Sequence, residues 1–259
     1  MRVETLDGLA QGLLTGYFEP VLAAQRAPGT GFAVPLYQPP AGLGTRRPWF
    51  TREEIESRPD VQAQLQGRVI AYLSDPLDAL MLHIQGSGRL RVVESNGAMT
   101  LVRLAYAGSN EQPYRSVGRW LQEQGALRDA SWPGIRAWAA QNPERVQAML
   151  WSNPRYVFFR EQRIDETQDE GPVGSAGVPL SAGHSIAVDP ASIPLGAPVW
   201  LSSEGNQVSL RRLVLAQDQG GAITGAVRAD LFVGSGDGAG DLAGRLRQNL
   251  RLWVLWPRY

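Results

Sequence analysis

The chain has 259 residues, 25 basic and 25 acidic side chains with a formal net charge of +0, and 43% hydrophobic residues. That length supports one large or two small domains with a well-buried core, and the charge balance offers no field for steering onto nucleic acid or anionic lipid. Every basic side chain is Arg and Cys is absent, which excludes Schiff-base and P-loop lysines, thiol nucleophiles, thiolate metal sites and disulfides.

In chain order, the first forty residues are punctuated by Gly and Pro and read as extended chain. From Thr51 to Trp151 the apolar spacing is mostly helical. Thr51 with Glu54 three residues on makes a capping-box start before Ile55, and Pro59 should break that helix. Asp75-Pro76 supplies an N-cap and an N1 proline ahead of Leu77, Leu80, Met81 and Ile84, with a stop near Gly86. Further helices are expected at Ser116 to Gln124, Ser131 to Gln141, and Asn142 to Trp151. Trp120, Trp138 and Trp151 fall at core spacing within them. Strands are expected at Arg68 to Tyr72, Leu90 to Val93, Leu101 to Tyr106 and Tyr156 to Phe159.

After Gly171 the pattern is short β runs: Ser185 to Val188, Pro198 to Leu201, Val208 to Ala216, Ala222 to Ala226, Leu231 to Val233 and Leu252 to Trp256, with one helix at Asp241 to Gln248. This spacing suggests a compact barrel or sandwich. No run approaches the roughly 18–20 apolar residues of a membrane span. The N-terminus also lacks a basic region followed by an apolar stretch, so the sequence as given shows no signal or anchor segment.

With only His83 and His184 as imidazoles, a three-histidine metal site is excluded and carboxylates are left as the abundant proton-transfer groups. The densest cluster is Ala216-Gln217-Asp218-Gln219-Gly220-Gly221, followed by Arg228-Ala229-Asp230-Leu231. Asp218 and Asp230 flank one expected hairpin, and the Gly220-Gly221 pair permits close approach of backbone or ligand. An Asp at the start of an apolar strand has its protonated form favoured, as a general acid requires. The plainer alternative is that Asp218 closes an Asx turn and Asp230 ends a strand. Asp189 stands at another strand end, before Pro190, where a turn is the simpler reading. Beside it His184 reads as a turn histidine. Gln85-Gly86-Ser87-Gly88 exposes amide and hydroxyl groups after a helix, or is simply its C-cap. Tyr17, in Gly16-Tyr17-Phe18-Glu19-Pro20, is an aromatic suited to a sugar face.

Five segments in order carry a family resemblance: Thr15 to Pro20; Ile84 to Gly88; Tyr106-Ala107-Gly108 with Pro113 to Gly118; Asn153 to Phe159; and Ala216 to Gly221 with Asp230. Together they resemble the membrane-bound lytic murein transglycosylase A family, including its C-terminal module named for three aspartates, here Asp189, Asp218 and Asp230. The resemblance implies a mainly β fold. A double-psi β-barrel would be formed by residues 1–39 plus 165–259, with a second, β-rich α+β domain inserted at 40–164 and the glycan lying in a groove between them.

It also implies cleavage of the β-1,4 bond between N-acetylmuramic acid and N-acetylglucosamine without water, giving 1,6-anhydro products. Asp230 takes the catalytic position as acid and then base, and Asp218 supports it. Tyr17, Gln85, Ser87, Tyr106, Asp189, Gly220 and Gly221 are the expected substrate-binding residues, and no metal or cofactor is called for. Peptidoglycan strands are the expected partner, nucleic acid is not, and cell-wall synthesis or division proteins are candidate partners with oligomeric state left open. The implied location is the bacterial cell envelope, in the periplasm or at the periplasmic face of the outer membrane. The alternatives are a two-carboxylate hydrolytic glycosidase and a non-catalytic glycan-binding protein.

Overall fold

A computed structural model describes residues 1–4, 8–164, 171–205 and 208–256. Strands β1 (Gly12–Glu19), β2 (Val21–Gln25) and β3 (Val34–Tyr37) come first. Helix α1 (Arg52–Ser57) starts on the full Thr51–Glu54 capping box, and α2 (Pro59–Ala63) restarts at Pro59. After β4 (Val69–Leu73), α3 (Pro76–Gln85) is capped by Asp75, whose side chain accepts from the Leu77 N–H. It ends at Gly86, in the left-handed region with φ +78°. Strands β5 (Gly88–Val93) and β6 (Met99–Ser109) form an antiparallel pair. Next come α4 (Val117–Glu123) and α5 (Trp132–Gln141), capped by Ser116 and Ser131. A 3₁₀ turn (Pro143–Arg145) leads into α6 (Val146–Trp151), so Asn142-Pro143 opens a tighter turn than the expected α-helix. The chain continues through β7 (Val157–Arg163), β8 (Ser185–Val188), β9 (Pro198–Glu204), β10 (Ser209–Asp218), β11 (Arg228–Ser235), α7 (Asp237–Arg245) and β12 (Arg247–Val254).

Two compact units result, Met1–Pro20 with Asp165–Tyr259, and Val21–Ile164. The first is a closed barrel in the order β1-β11-β8-β10-β9-β12. Strands β1 and β11 pair in parallel, as do β8 and β10, and the other neighbours are antiparallel. Alternate residues point inward, as the two-residue period of a strand requires, and Leu14, Ile186, Val199, Leu201, Val214, Leu250 and Leu252 fill the barrel core. Helix α7 lies on β1 because Gly16 has no side chain: a Cβ there would stand 3.0 Å from Ala243 Cα.

The second unit holds a six-stranded sheet, β3-β4-β2-β5-β6-β7. One cluster lies on the sheet, around Leu36, Leu82, Leu104 and Phe159. Another joins the helices through Leu80, Leu121, Trp138 and Met149. Among the described residues no helix is long and apolar enough to cross a membrane.

Four expectations need correction. The first break in the chain falls at Pro20/Val21 rather than near residue 40, because β2 pairs with β4 and β5 and β3 pairs with β4, outside the barrel. The expected boundary at residue 165 lies outside the described residues. The helix expected at Asp241 to Gln248 starts four residues earlier and stops at Arg245, since Arg247 and Gln248 pair with Thr15 and Leu14 to close the barrel. Long-range pairing overrides local helix preference there. Ala222 to Ala226 is turn rather than strand: Ile223 N–H donates to Gly220 C=O, and Gly225 takes φ +103°. Finally, β10 and β11 form no hairpin, because β8 lies between them.

Candidate active site

Barrel order decides how the two carboxylates meet. Ala187 of β8 is paired with Asp230 on one side and Asp218 on the other, so two interstrand steps of about 4.8 Å separate the aspartate backbones by about 10 Å. Asp218 reaches that row only because the register shifts between Ala216 and Asp218. This bulge skips Gln217 and puts a carboxylate where an amide would otherwise pair.

Asp230 retains a small accessible edge, and its neighbour on β1 is Thr15. Thr15 Oγ1 donates to Asp230 Oδ1 at 2.6 Å. Burial raises the pKa of Asp230 above the ordinary carboxylate range, and the charge of Asp218 adds to this. The Thr15 hydrogen bond and the Arg228 guanidinium pull the other way without cancelling the rise. Desolvation penalises the ionised form, so the chain carries here a carboxyl biased toward its acid form.

Asp218 is placed quite differently. Its Oδ1 accepts from the Ser175 N–H at 3.0 Å and the Ser175 hydroxyl at 2.8 Å, and its Oδ2 accepts from the Tyr17 hydroxyl at 3.0 Å. Three donors on two oxygens is the bonding pattern of an ionised carboxylate. Tyr17 is held by β1 opposite Phe232, ring centroids 5.4 Å apart. Burial, then the charges of Asp218 and Asp230, push its phenol pKa well above the usual value, so it remains a donor.

Each of the other expected residues has its own local setting. Both oxygens of Asp189 accept backbone N–H groups, from Ala191 at 3.0 Å and Gly225 at 2.7 Å, which makes it a loop-fastening residue. His184 is exposed in a turn, its N–H donating to Ser181 C=O. Gly220 and Gly221 are exposed in the turn after β10. Gln85, Ser87 and Tyr106 belong to the second unit, at the end of α3, in the link to β5 and on β6; Tyr106 is 48% exposed. Thr15, Ser175 and Arg228 were not singled out from the sequence. Thr15 could have been found as the first residue of the Thr15 to Pro20 motif and Arg228 as the cation two positions before Asp230. Ser175 carries no local signal, since its contact is made 43 residues away.

Comparison with known proteins places the chain. The MltA specific insert domain matches residues 13–160, and the 3D domain matches residues 184–256. The chain belongs to the MltA family. Membrane-bound lytic murein transglycosylase A of Vibrio cholerae is 32% identical over 255 residues, covering 94% of this chain and 65% of that protein. The chain therefore spans just under two thirds of that relative's length. Among solved structures, the lytic transglycosylase LtgG of Burkholderia pseudomallei is 45% identical with TM-score 0.66, covering 100% of this chain and 76% of its own. MltA from E. coli with bound chitohexaose is 29% identical with TM-score 0.81, over 97% of this chain and 73% of that one.

Proposed function

We propose that this MltA-family chain is a peptidoglycan lytic transglycosylase in which Asp230 is the only proton-transfer carboxyl. The observation that carries this reading is the unequal state of the two aspartates: Asp230 is biased toward the acid, while Asp218 has both oxygens occupied by Tyr17 and Ser175. A hydrolytic glycosidase needs a second carboxylate free to activate water or attack carbon. Asp218 is poorly placed for either task. If the C6 hydroxyl of the muramoyl residue attacks C1 of its own ring, the nucleophile is tethered and its effective concentration is high.

In this reaction protonated Asp230 donates to the glycosidic oxygen and the C1–O bond breaks. The C1–O6 bond then forms, and the O6 proton returns to Asp230, so the 1,6-anhydro product leaves with no water consumed. Asp218 and Tyr17 support Asp230 electrostatically. The resemblance extends to glycan contacts from Gln85, Ser87, Tyr106, Gly220 and Gly221, with Asp189 fastening a neighbouring loop. The same reading includes a double-psi path for the barrel, supported by its two parallel strand pairs, with the second unit inserted into it. It also includes action at the cell envelope and cell-wall synthesis or division proteins as partners.

Digestion of purified murein, with products read by mass spectrometry, tests the proposal. Wild type should release anhydromuropeptides, and Asp230→Asn should lower the rate by about 10²–10⁴-fold, the range for losing a general acid. Products one water heavier with reducing ends would sink the transglycosylase reading, and no release by wild type would favour a binding protein.

A further inference from the structure

Thr15 does more than touch Asp230. Its Oγ1 accepts from Arg228 Nη2 at 2.8 Å while standing 2.6 Å from Asp230 Oδ1. A guanidinium has five donors, no acceptor, and does not deprotonate in proteins. Arg228 must therefore donate to the hydroxyl, and the single hydrogen of Thr15 is left for Asp230. With that hydrogen aimed at Oδ1, the acid proton is favoured on Oδ2, because the carbonyl oxygen of a neutral carboxyl is a better acceptor than its hydroxyl oxygen. Among the described residues, Asp230 Oδ2 accepts no hydrogen bond.

We infer that Arg228 and Thr15 act as a positioning pair that confines the acid proton of Asp230 to Oδ2 and keeps that oxygen as the one that exchanges a proton with the glycan. The inference rests on the reading of Asp230 as the acid. Register makes the pair rigid: Leu13 stands opposite Arg228 and Thr15 opposite Asp230 on the parallel β1–β11 ladder. Arg228 is fixed further by Nη1 donating to Ala229 C=O at 2.5 Å and Leu13 C=O at 3.4 Å. During the reaction both transfers use Oδ2, outward to the glycosidic oxygen and inward from O6. When Asp230 is ionised between the two, the Thr15 bond becomes charge-assisted and stronger. The other charged or titratable groups facing the pair are Asp218 and Tyr17, near Asp230, and Arg247, paired with Thr15 from β12.

The test compares wild type, Thr15→Val, Thr15→Ser and Asp230→Asn on solubilised murein glycan, reading kcat, glycan Kd and the pH dependence of kcat. Thr15→Val keeps the shape and loses the hydrogen, so kcat should fall by about 10²-fold while Kd stays within about twofold. Its alkaline limb should move to higher pH, because a hydrogen bond favouring the carboxylate is gone. Thr15→Ser should restore both the rate and the limb. A Thr15→Val enzyme with wild-type kcat, an unmoved limb, or a Thr15→Ser enzyme as impaired as Thr15→Val would each overturn the inference. If Thr15→Val does not fold, Thr15→Ala carries the same comparison. Wild-type activity in Asp230→Asn would overturn the assignment of the acid itself, whereas its loss beside a normal Thr15→Val enzyme overturns only the placement of the proton.

Discussion

Three aspartates of one module have three fates set by their immediate partners. Asp189 spends both oxygens on loop N–H groups, Asp218 on Tyr17 and Ser175, and Asp230 on a single hydroxyl in a desolvated setting. The buried imidazole makes a comparable point. His83 Nδ1 lies 2.8 Å from Arg52 Nη2, and since Arg can only donate, the ring must be neutral there. Burial and the Arg52 charge depress its pKa well below the usual value. The unfolded chain thus binds a proton below about pH 6.5 that the folded chain refuses, so stability falls as pH drops through that value. We expect the unfolding free energy from urea titrations to decline from pH 7.5 to 5.5, with a slope from this group approaching about 1.4 kcal/mol per pH unit below pH 6.5. His83→Gln keeps an acceptor for Arg52 and should flatten that decline; an equally steep decline in the variant would mean that other groups cause it.

At the scale of elements, the bulge at the end of β10 and the loop ahead of β8 have one shared task, the fixing of Asp218. Ala176 N–H donates to Gln217 C=O at 2.9 Å, next to the Ser175 contacts. Gly174 makes that closeness possible, since a Cβ there would stand 2.5 Å from Gln217 O and 2.7 Å from Leu180 Cδ2. Gly174→Ala should therefore displace the loop, cost about 1–3 kcal/mol and reduce murein cleavage, while the barrel signal in circular dichroism remains. Full activity in that variant would show that the Ser175–Asp218 bonds are dispensable.

Across the whole molecule, the barrel and the sheet unit each own their apolar clusters. Leu250 is fully buried in the barrel, and Leu250→Ala should cost about 2–5 kcal/mol. Hydrogen exchange should report the loss chiefly in the barrel strands, with β4 to β6 keeping most of their protection; uniform loss through both units would argue for one cooperative core.

Local signals were legible wherever a rule acts over a few residues. The Thr51 capping box, the Asp75-Pro76 start and the Gly86 stop all act at short range, and they hold in the structure. The family motifs likewise pointed to Asp218 and Asp230 as neighbours, and composition removed lysine, thiol and three-histidine chemistry. What the linear pattern could not contain was strand order. A hairpin between Asp218 and Asp230 was the nearest solution in sequence, but barrel closure puts β8 between them, turns Gln248 into a strand residue and draws β2 and β3 into the other unit. Thr15, Ser175 and Arg228 gain their roles the same way, from pairings 40 to more than 200 residues apart. Periodicity and capping are local energies written along the chain; which strand lies beside which is decided by the shared burial of the barrel core.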